Sequence, residues 1–256
     1  MLERDSAHEE EELGELEENP ELKEAEDYRL MRRLLCDYAF PKGVLAANLA
    51  IHGMFWMSSC LAVLPKPRMW VCDFLTKHFV LSYVAVKSGR VHTLLASVFI
   101  HLSLWHLFIN SVLFVSSSQR CLEFFNTQQV AALYLGGGLA GGLATVTSTH
   151  FQKVHHRKAS VGGSAGVGAL YVAFLCARDR EEPFLFLPFD FLDTFIILII
   201  VYEAIGAITS FRSRRSLWKS NVNHTAHLGG MATGALGYQC FAPGDPKHSS
   251  MHDRRK

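Results

Sequence analysis

A serine in a glycine cluster, Gly162-Gly163-Ser164-Ala165-Gly166, and two histidines, His106 and His227, stand at the starts of three separate apolar stretches. A serine hydroxyl is a weak nucleophile until a base within hydrogen-bond reach takes its proton, and imidazole is the usual base. Ser164 with His227 supplies that pair. Acyl transfer also needs donors aimed at a developing oxyanion, and the Ser164 amide N–H, the His106 ring and the Asn110 carboxamide are the candidates. His106 and Asn110 are i and i+4, hence on one helix face. A hydroxyl, two imidazoles and a carboxamide are costly in hydrocarbon unless they pair or act together. G-x-S-x-G alone also marks the strand-to-helix elbow of soluble hydrolases, but the flanks here are apolar and helical.

The elements that must position these residues are apolar stretches too long and too frequent for an ordinary soluble domain of 256 residues. The first runs from Val44 to Leu64 and ends at Pro65-Lys66-Pro67-Arg68, with Asn48 and His52 expected to face other helices. The others are His101 to Ser118, Gln129 to Ser148, Val161 to Ala177, Phe189 to Ala207, and Thr225 to Phe241. The fold class read from this pattern is an all-α membrane protein with six transmembrane helices over 44–241. An even count brings the starts of the second, fourth and sixth spans, and with them His106, Ser164 and His227, to one side. The segment from 66 to about 101 reads as a long loop with interfacial amphipathic stretches, a seventh crossing being the alternative. The spacing of the glycines, Gly136, Gly137, Gly138, Gly141 and Gly142 in the third span and Gly230, Gly234 and Gly237 in the sixth, lets helix backbones approach. Gly162, Gly230 and Gly234 are read as the helix-packing glycines of the site.

Composition excludes several functions. A formal charge of +1 creates no field to gather nucleic acid. The six cysteines are dispersed without a C-x-x-C, against a disulfide framework. His150, His155 and His156 lie in a basic loop with no Cys or carboxylate cluster at ligand spacing, so neither metal nor cofactor is expected. His101 and His224 precede the two histidine motifs as tuners of local hydrogen bonding or as structural caps. Asp190, Asp193 and Glu203 in the fifth span read as interfacial or bundle-facing rather than catalytic. Residues 1–27 are an acidic tail expected to be disordered, with a receptor for basic presequences as the functional alternative. No cleavable address is visible there, which leaves an internal signal or an upstream presequence for an organellar protein. Residues 28–43 form a basic amphipathic juxtamembrane segment or a plain surface helix, and 242–256 a polar C-terminal tail. Lys and Arg divide almost evenly between the two sets of loops, so the positive-inside rule returns no orientation.

Three ordered motifs resemble the rhomboid family of intramembrane serine proteases, over roughly Val44 to Phe241. His101-Leu102-Ser103-Leu104-Trp105-His106-Leu107-Phe108-Ile109-Asn110 is similar to the family's second-helix signature. Gly162-Gly163-Ser164-Ala165 is similar to its G-x-S-G nucleophile motif, and Ala226-His227-Leu228-Gly229-Gly230-Met231-Ala232-Thr233-Gly234 to its A-H-x-x-G-x-x-x-G sixth helix. Leu94 to Ser118 and Asn223 to Gly230 look closest to the mitochondrial presenilin-associated rhomboid-like branch, although that branch's extra N-terminal span is absent. Ala165 stands where the family has Gly, adding a methyl beside the oxyanion-forming backbone. His92-Thr93 stands in place of a first-loop Trp-Arg pair, and Gly168 where an aromatic stacks on the catalytic His.

The resemblance implies a rhomboid bundle in which Ser164 and His227 form a dyad without a third acidic member, and His106, Asn110 and the Ser164 amide line the oxyanion site. It implies a serine endopeptidase that cleaves membrane-anchored proteins in the mitochondrial inner membrane or another organellar membrane. The fifth span and the loop from Thr209 to Val222 would part as a lateral gate. The lipid bilayer and transmembrane substrates are the implied partners, with no nucleic acid. The alternative is an inactive pseudoprotease that binds or translocates transmembrane segments as a subunit of a membrane complex. A small-molecule transporter finds little support, because the polar residues cluster at one depth instead of tracing a path.

Overall fold

The computed structural model describes residues 38–60, 65–152, 159–177, 198–199, 201–203, 205–206 and 223–241. Helices α1 (Ala39–Cys60) and α2 (Pro65–Phe79) are followed by the two-residue strand β1 (Leu81–Ser82) and the short helices α3 (Tyr83–Lys87) and α4 (Thr93–Ala96). A 3-10 turn at Ser97–Phe99 leads to α5 (Leu104–Cys121) and α6 (Thr127–Gln152). Then come β2 (Ala159–Ser160), α7 (Ser164–Ala177), helical residues around Glu203, and α8 (His224–Phe241). Five of the six expected apolar stretches thus coincide with long helices. Of the fifth, only 198–199, 201–203 and 205–206 are described, and all are helical. Asp190, Asp193, His155, His156, both tails up to residue 37 and from 242, and the segment Thr209 to Val222 lie outside the described residues.

Two boundaries differ from expectation for the same reason. α1 starts at Ala39, not Val44, with Pro41 in its first turn, and Pro65 and Pro67 open α2 instead of merely ending what precedes them. Proline lacks an N–H that the first turn of a helix does not use, so it starts helices as readily as it stops them. The segment 66–101, expected as a long loop with amphipathic stretches, is largely the helices α2, α3 and α4 and the strand β1, the expected stretch Met69 to Phe79 falling within α2. β1 pairs antiparallel with β2, Leu81 opposite Ser160 and Ser82 opposite Ala159, a link no periodicity in so short a pair could announce.

Three helices form the centre. α8 packs along both α6 and α7, and α6 packs on α7, with α5 against the other side of α7. What permits this is the absence of Cβ atoms. A methyl on Gly230 would overlap the Ala165 carbonyl, one on Gly234 the Ala169 carbonyl, and one on Gly141 would come within 2.6 Å of the Ala165 methyl. Backbones this close trade side-chain bulk for many small dispersion contacts, the route by which helices associate where lipid is as apolar as leucine.

Polar side chains share the interior with an apolar core, while large apolar side chains face outward. Asn48, His52, His101, Asn110, Ser117, Ser118, Thr145, Ser148 and Thr149 are buried, while Leu104, Trp105, Phe108, Leu139, Leu143 and Leu236 are exposed. The buried hydroxyls other than Ser118 return bonds to their own helices, as Ser117 to the Leu113 carbonyl at 2.7 Å and Thr149 to the Thr145 carbonyl at 2.7 Å. Such a surface suits a lipid surround. Among the described residues, Thr127–Phe151 is long and apolar enough to cross a membrane alone. A second such span arises if Thr93–Phe99 and Leu104–Cys121, bent by 95° at their junction, are taken together.

The helix contacts separate two otherwise similar substitutions. Gly230→Ala places its methyl on a backbone carbonyl and is expected to cost about 1–3 kcal/mol. Gly136→Ala, whose methyl would lie 3.6 Å from Thr233 Cγ2 in ordinary contact, is expected to be neutral or to stabilise by up to about 1 kcal/mol through helix propensity. Thermal unfolding of the two purified variants in detergent checks the contrast.

Candidate active site

The segment that presents Ser164 is pinned before the helix begins. Ala159 and Ser160 are held by β1, and the Gly162 N–H donates to the Ser97 carbonyl at 2.8 Å. Gly162 then turns with φ of 103°, a conformation that disfavours any side chain, and a Cβ there would meet the His106 ring at 2.8 Å. Its role is therefore the turn and the admission of His106. This corrects the expectation that Gly162 packs helices as Gly230 and Gly234 do. Gly163 is equally constrained, since a Cβ would overlap the Tyr134 hydroxyl.

His106 rides on α5, whose N-cap is Ser103: its Oγ accepts from the His106 N–H at 3.1 Å. His101 lies buried beneath, its ring edge-on to His106 with centroids 5.0 Å apart, and its carbonyl is bonded by His52 Nδ1 at 3.1 Å. Thus α1 braces the support under His106, and the cap is Ser103 instead of His101. Asn110 Nδ2 donates to the His106 carbonyl at 3.0 Å, which ties the carboxamide to its own helix.

His227 is positioned from the start of α8. Asn223 caps this helix through the Ala226 N–H at 3.4 Å and donates from Nδ2 to Thr145 Oγ1 at 2.6 Å and Ser160 Oγ at 3.2 Å. One side chain therefore fastens α8 to both α6 and the strand that leads to Ser164. Asparagine's preference for the N-cap position was the signal in the sequence that could have found it.

Ser164 Oγ and His227 Nε2 are 2.6 Å apart. They are joined by His106 and Asn110 in lining a mostly apolar cavity of about 480 Å³. The four polar residues expected to act together share one chamber. Ala165, expected to crowd the oxyanion backbone, directs its methyl toward Gly141, where no Cβ competes for the space. Gly168 also lines the cavity, and a Cβ there would meet only Met231 Cγ at 3.5 Å and the His227 carbonyl at 3.9 Å.

Glu203 corrects the expectation that no acidic residue accompanies the pair. It is bundle-facing, 4% exposed, with Oε2 2.9 Å from His227 Nδ1 and 2.6 Å from His224 Nδ1. The His224 contact is a well-formed hydrogen bond. At His227 the distance is that of an ion pair, with the N–H off axis from the oxygen. His224 is pressed from the same side by Gly206, where a Cβ would fall 2.5 Å from the ring, and by the edge of Tyr202 at 5.4 Å. His224 is thus a partner of Glu203 and no cap. His224 and His227 are i and i+3, on one face of α8. No group of three His, Cys, Asp or Glu suited to a metal occurs among the described residues.

The Rhomboid domain family matches residues 88–242. A mitochondrial RHOMBOID-like protein 12 of Arabidopsis thaliana is 26% identical over 190 residues, which is 67% of this chain and 52% of that protein. A chloroplastic Rhomboid-like protein 16 of the same plant is 30% identical over 106 residues, 41% of this chain and 30% of that protein. The chain therefore spans about half the length of the first relative and under a third of the second. No solved structure matches.

Gly162→Ala is expected to lose about 1–3 kcal/mol of stability from backbone strain alone. It should also push the His106 ring aside, and a comparison of its thermal unfolding and its rate of fluorophosphonate labelling with wild type measures both effects.

Proposed function

This chain belongs to the rhomboid family, which is membrane-embedded and acts on transmembrane substrates within the bilayer, and we propose that it is an intramembrane serine endopeptidase. The observation that carries the reading is the 2.6 Å contact between Ser164 Oγ and His227 Nε2 inside a mostly apolar cavity. Hydrogen-bond distance between nucleophile and base is the first geometric requirement of acyl transfer.

In this reading Ser164 Oγ attacks the scissile carbonyl carbon while its proton passes to His227 Nε2. The oxyanion that forms accepts from the Ser164 N–H and from His106, with Asn110 holding the His106 turn in place. Collapse breaks the C–N bond, and the imidazolium gives its proton to the departing amine. A water then attacks the acyl carbon with His227 again as base, and Ser164 is released with its proton restored. The cavity's apolar wall strengthens each electrostatic contact by excluding bulk water.

Six spans over 44–241 accommodate this site, with the segments around Ser164, His106 and His227 at a common depth. A membrane-anchored substrate would enter beside the helix that carries Glu203. The name of the 26% identical relative points to mitochondria and that of the 30% identical one to chloroplasts, and the mitochondrial inner membrane is our assignment for this chain. The second reading, a rhomboid-like protein that binds or translocates transmembrane segments, rests on Ala165 in the nucleophile motif, and the room that Gly141 leaves for its methyl argues against that reading.

Wild-type protein in detergent is expected to be labelled by a fluorophosphonate at Ser164 and to cleave a transmembrane substrate. Ser164→Ala should do neither while retaining the wild-type melting profile. Equal inertness of wild type and Ser164→Ala toward the probe and several substrates would overturn the protease reading in favour of the binding one.

A further inference from the structure

We propose that Glu203 is the positioning residue of the catalytic base, so that the working unit is Ser164, His227 and Glu203, with His224 as the clamp that holds the carboxylate. The inference rests on the protease reading and deepens it.

Three observations carry it. Glu203 Oε2 lies within 2.9 Å of His227 Nδ1, on the opposite edge of the same ring whose Nε2 faces Ser164 at 2.6 Å. An ionised carboxylate only accepts, so its proximity fixes the proton on Nδ1 and leaves the Nε2 lone pair free for the serine proton. The same oxygen takes the His224 Nδ1–H at 2.6 Å, which fixes the carboxylate from a residue one turn away on α8. Finally, Glu203 lines the cavity that holds Ser164, so a charge there faces the reacting groups and not bulk solvent.

The chemical consequence is directional. When the Ser164 proton moves to Nε2, His227 becomes an imidazolium whose positive charge is met by Glu203. No proton needs to reach Glu203, because its part is orientation and charge stabilisation. The off-axis N–H of the free protein is the arrangement expected before substrate tightens the site. Among the described residues, the titratable groups that face Glu203 are His224 and His227 of α8, with Ser164 of α7 beyond the His227 ring.

Glu203→Gln preserves shape and still accepts from His224, but it removes the charge. It is expected to lower kcat for a transmembrane substrate about 100-fold, with KM within about twofold and the melting profile unchanged. Glu203→Asp, which keeps the charge, should recover at least a tenth of the wild-type kcat. A residue that only docks its helix would instead change KM and stability together and be served equally well by Gln. Wild-type kcat in Glu203→Gln overturns the proposal.

A second readout is independent of proteolysis. With nitrogen-15 histidine, wild-type His227 should show a single Nδ1–H tautomer with a downfield proton resonance. That resonance should vanish in Ser164→Ala,His227→Gln, which assigns it, and should lose its tautomeric preference in Glu203→Gln. If wild type fails to label with a fluorophosphonate yet His227 shows this signature, the protease reading fails and the Glu203 assignment stands. If His227 shows no Nδ1–H preference in wild type, the Glu203 assignment fails whatever the activity. The wild-type spectrum alone decides should Glu203→Gln not fold.

Discussion

Close backbone contact between helices is the constraint on which the rest depends. The Ser164 hydroxyl and the His227 ring reach each other because α7 and α8 come together where Gly230 and Gly234 face the Ala165 and Ala169 carbonyls. A histidine ring extends only a few ångströms from its backbone, so two helices separated by ordinary side chains could not bring its Nε2 within about 3 Å of a serine. α6 closes the third side with Gly141 against Ala165 and the Ala226 carbonyl, and Gly137 against Ala169. Packing and reactivity are one feature here: the same missing Cβ atoms that give dispersion contact also set the reach of the base.

Around that core the polar side chains are bought no freedom. Burying a polar group in an apolar surround is costly unless it is paired, and much of the site is joined in a chain of contacts, although both His101 ring nitrogens and His227 Nδ1 make no hydrogen bond. Asn223 joins Thr145 to Ser160, Ser148 Oγ lies 3.2 Å from Thr225 Oγ1, and Glu203 meets two histidines. A buried carboxylate without partners would be strongly unfavourable, whereas Glu203 is hydrogen-bonded to His224 and lies at ion-pair distance from His227. Its two partners are the proposed base and a neighbour on α8, so in the proposed reading the requirement to pair a buried charge also orders that ring.

Much of this was legible in the residues. Ser164, His106, Asn110 and His227 could be paired by chemistry and by position in their apolar stretches, and the structure gathers all four around one cavity. Glycine spacing announced the tight helices. The misses have physical origins. Pro65 and Pro67 looked like terminators because periodicity does not distinguish the end of one helix from the first turn of the next. The β1 and β2 ladder is too short to alternate. Gly162 looked like its packing relatives, but only the backbone dihedral shows that it serves a turn. Glu203 escaped because an acid in an apolar stretch has no sequence mark of its partner. His224 and His227 lie about twenty residues away, and only folding puts them on the side it faces.

The small residue at 206 has a consequence of its own. With no side chain there, the helix bearing Glu203 lies flush on the His224 ring, and the carboxylate has no slack at 2.6 and 2.9 Å from its two partners. A withdrawal of that helix by the width of one water molecule, roughly 3 Å, is enough to sever both contacts. If a bulky guest is admitted along this flank, as the proposed function has it, admission and alignment of the imidazole are successive events in time: the wall would have to return to its seat before the ring is again set for proton transfer.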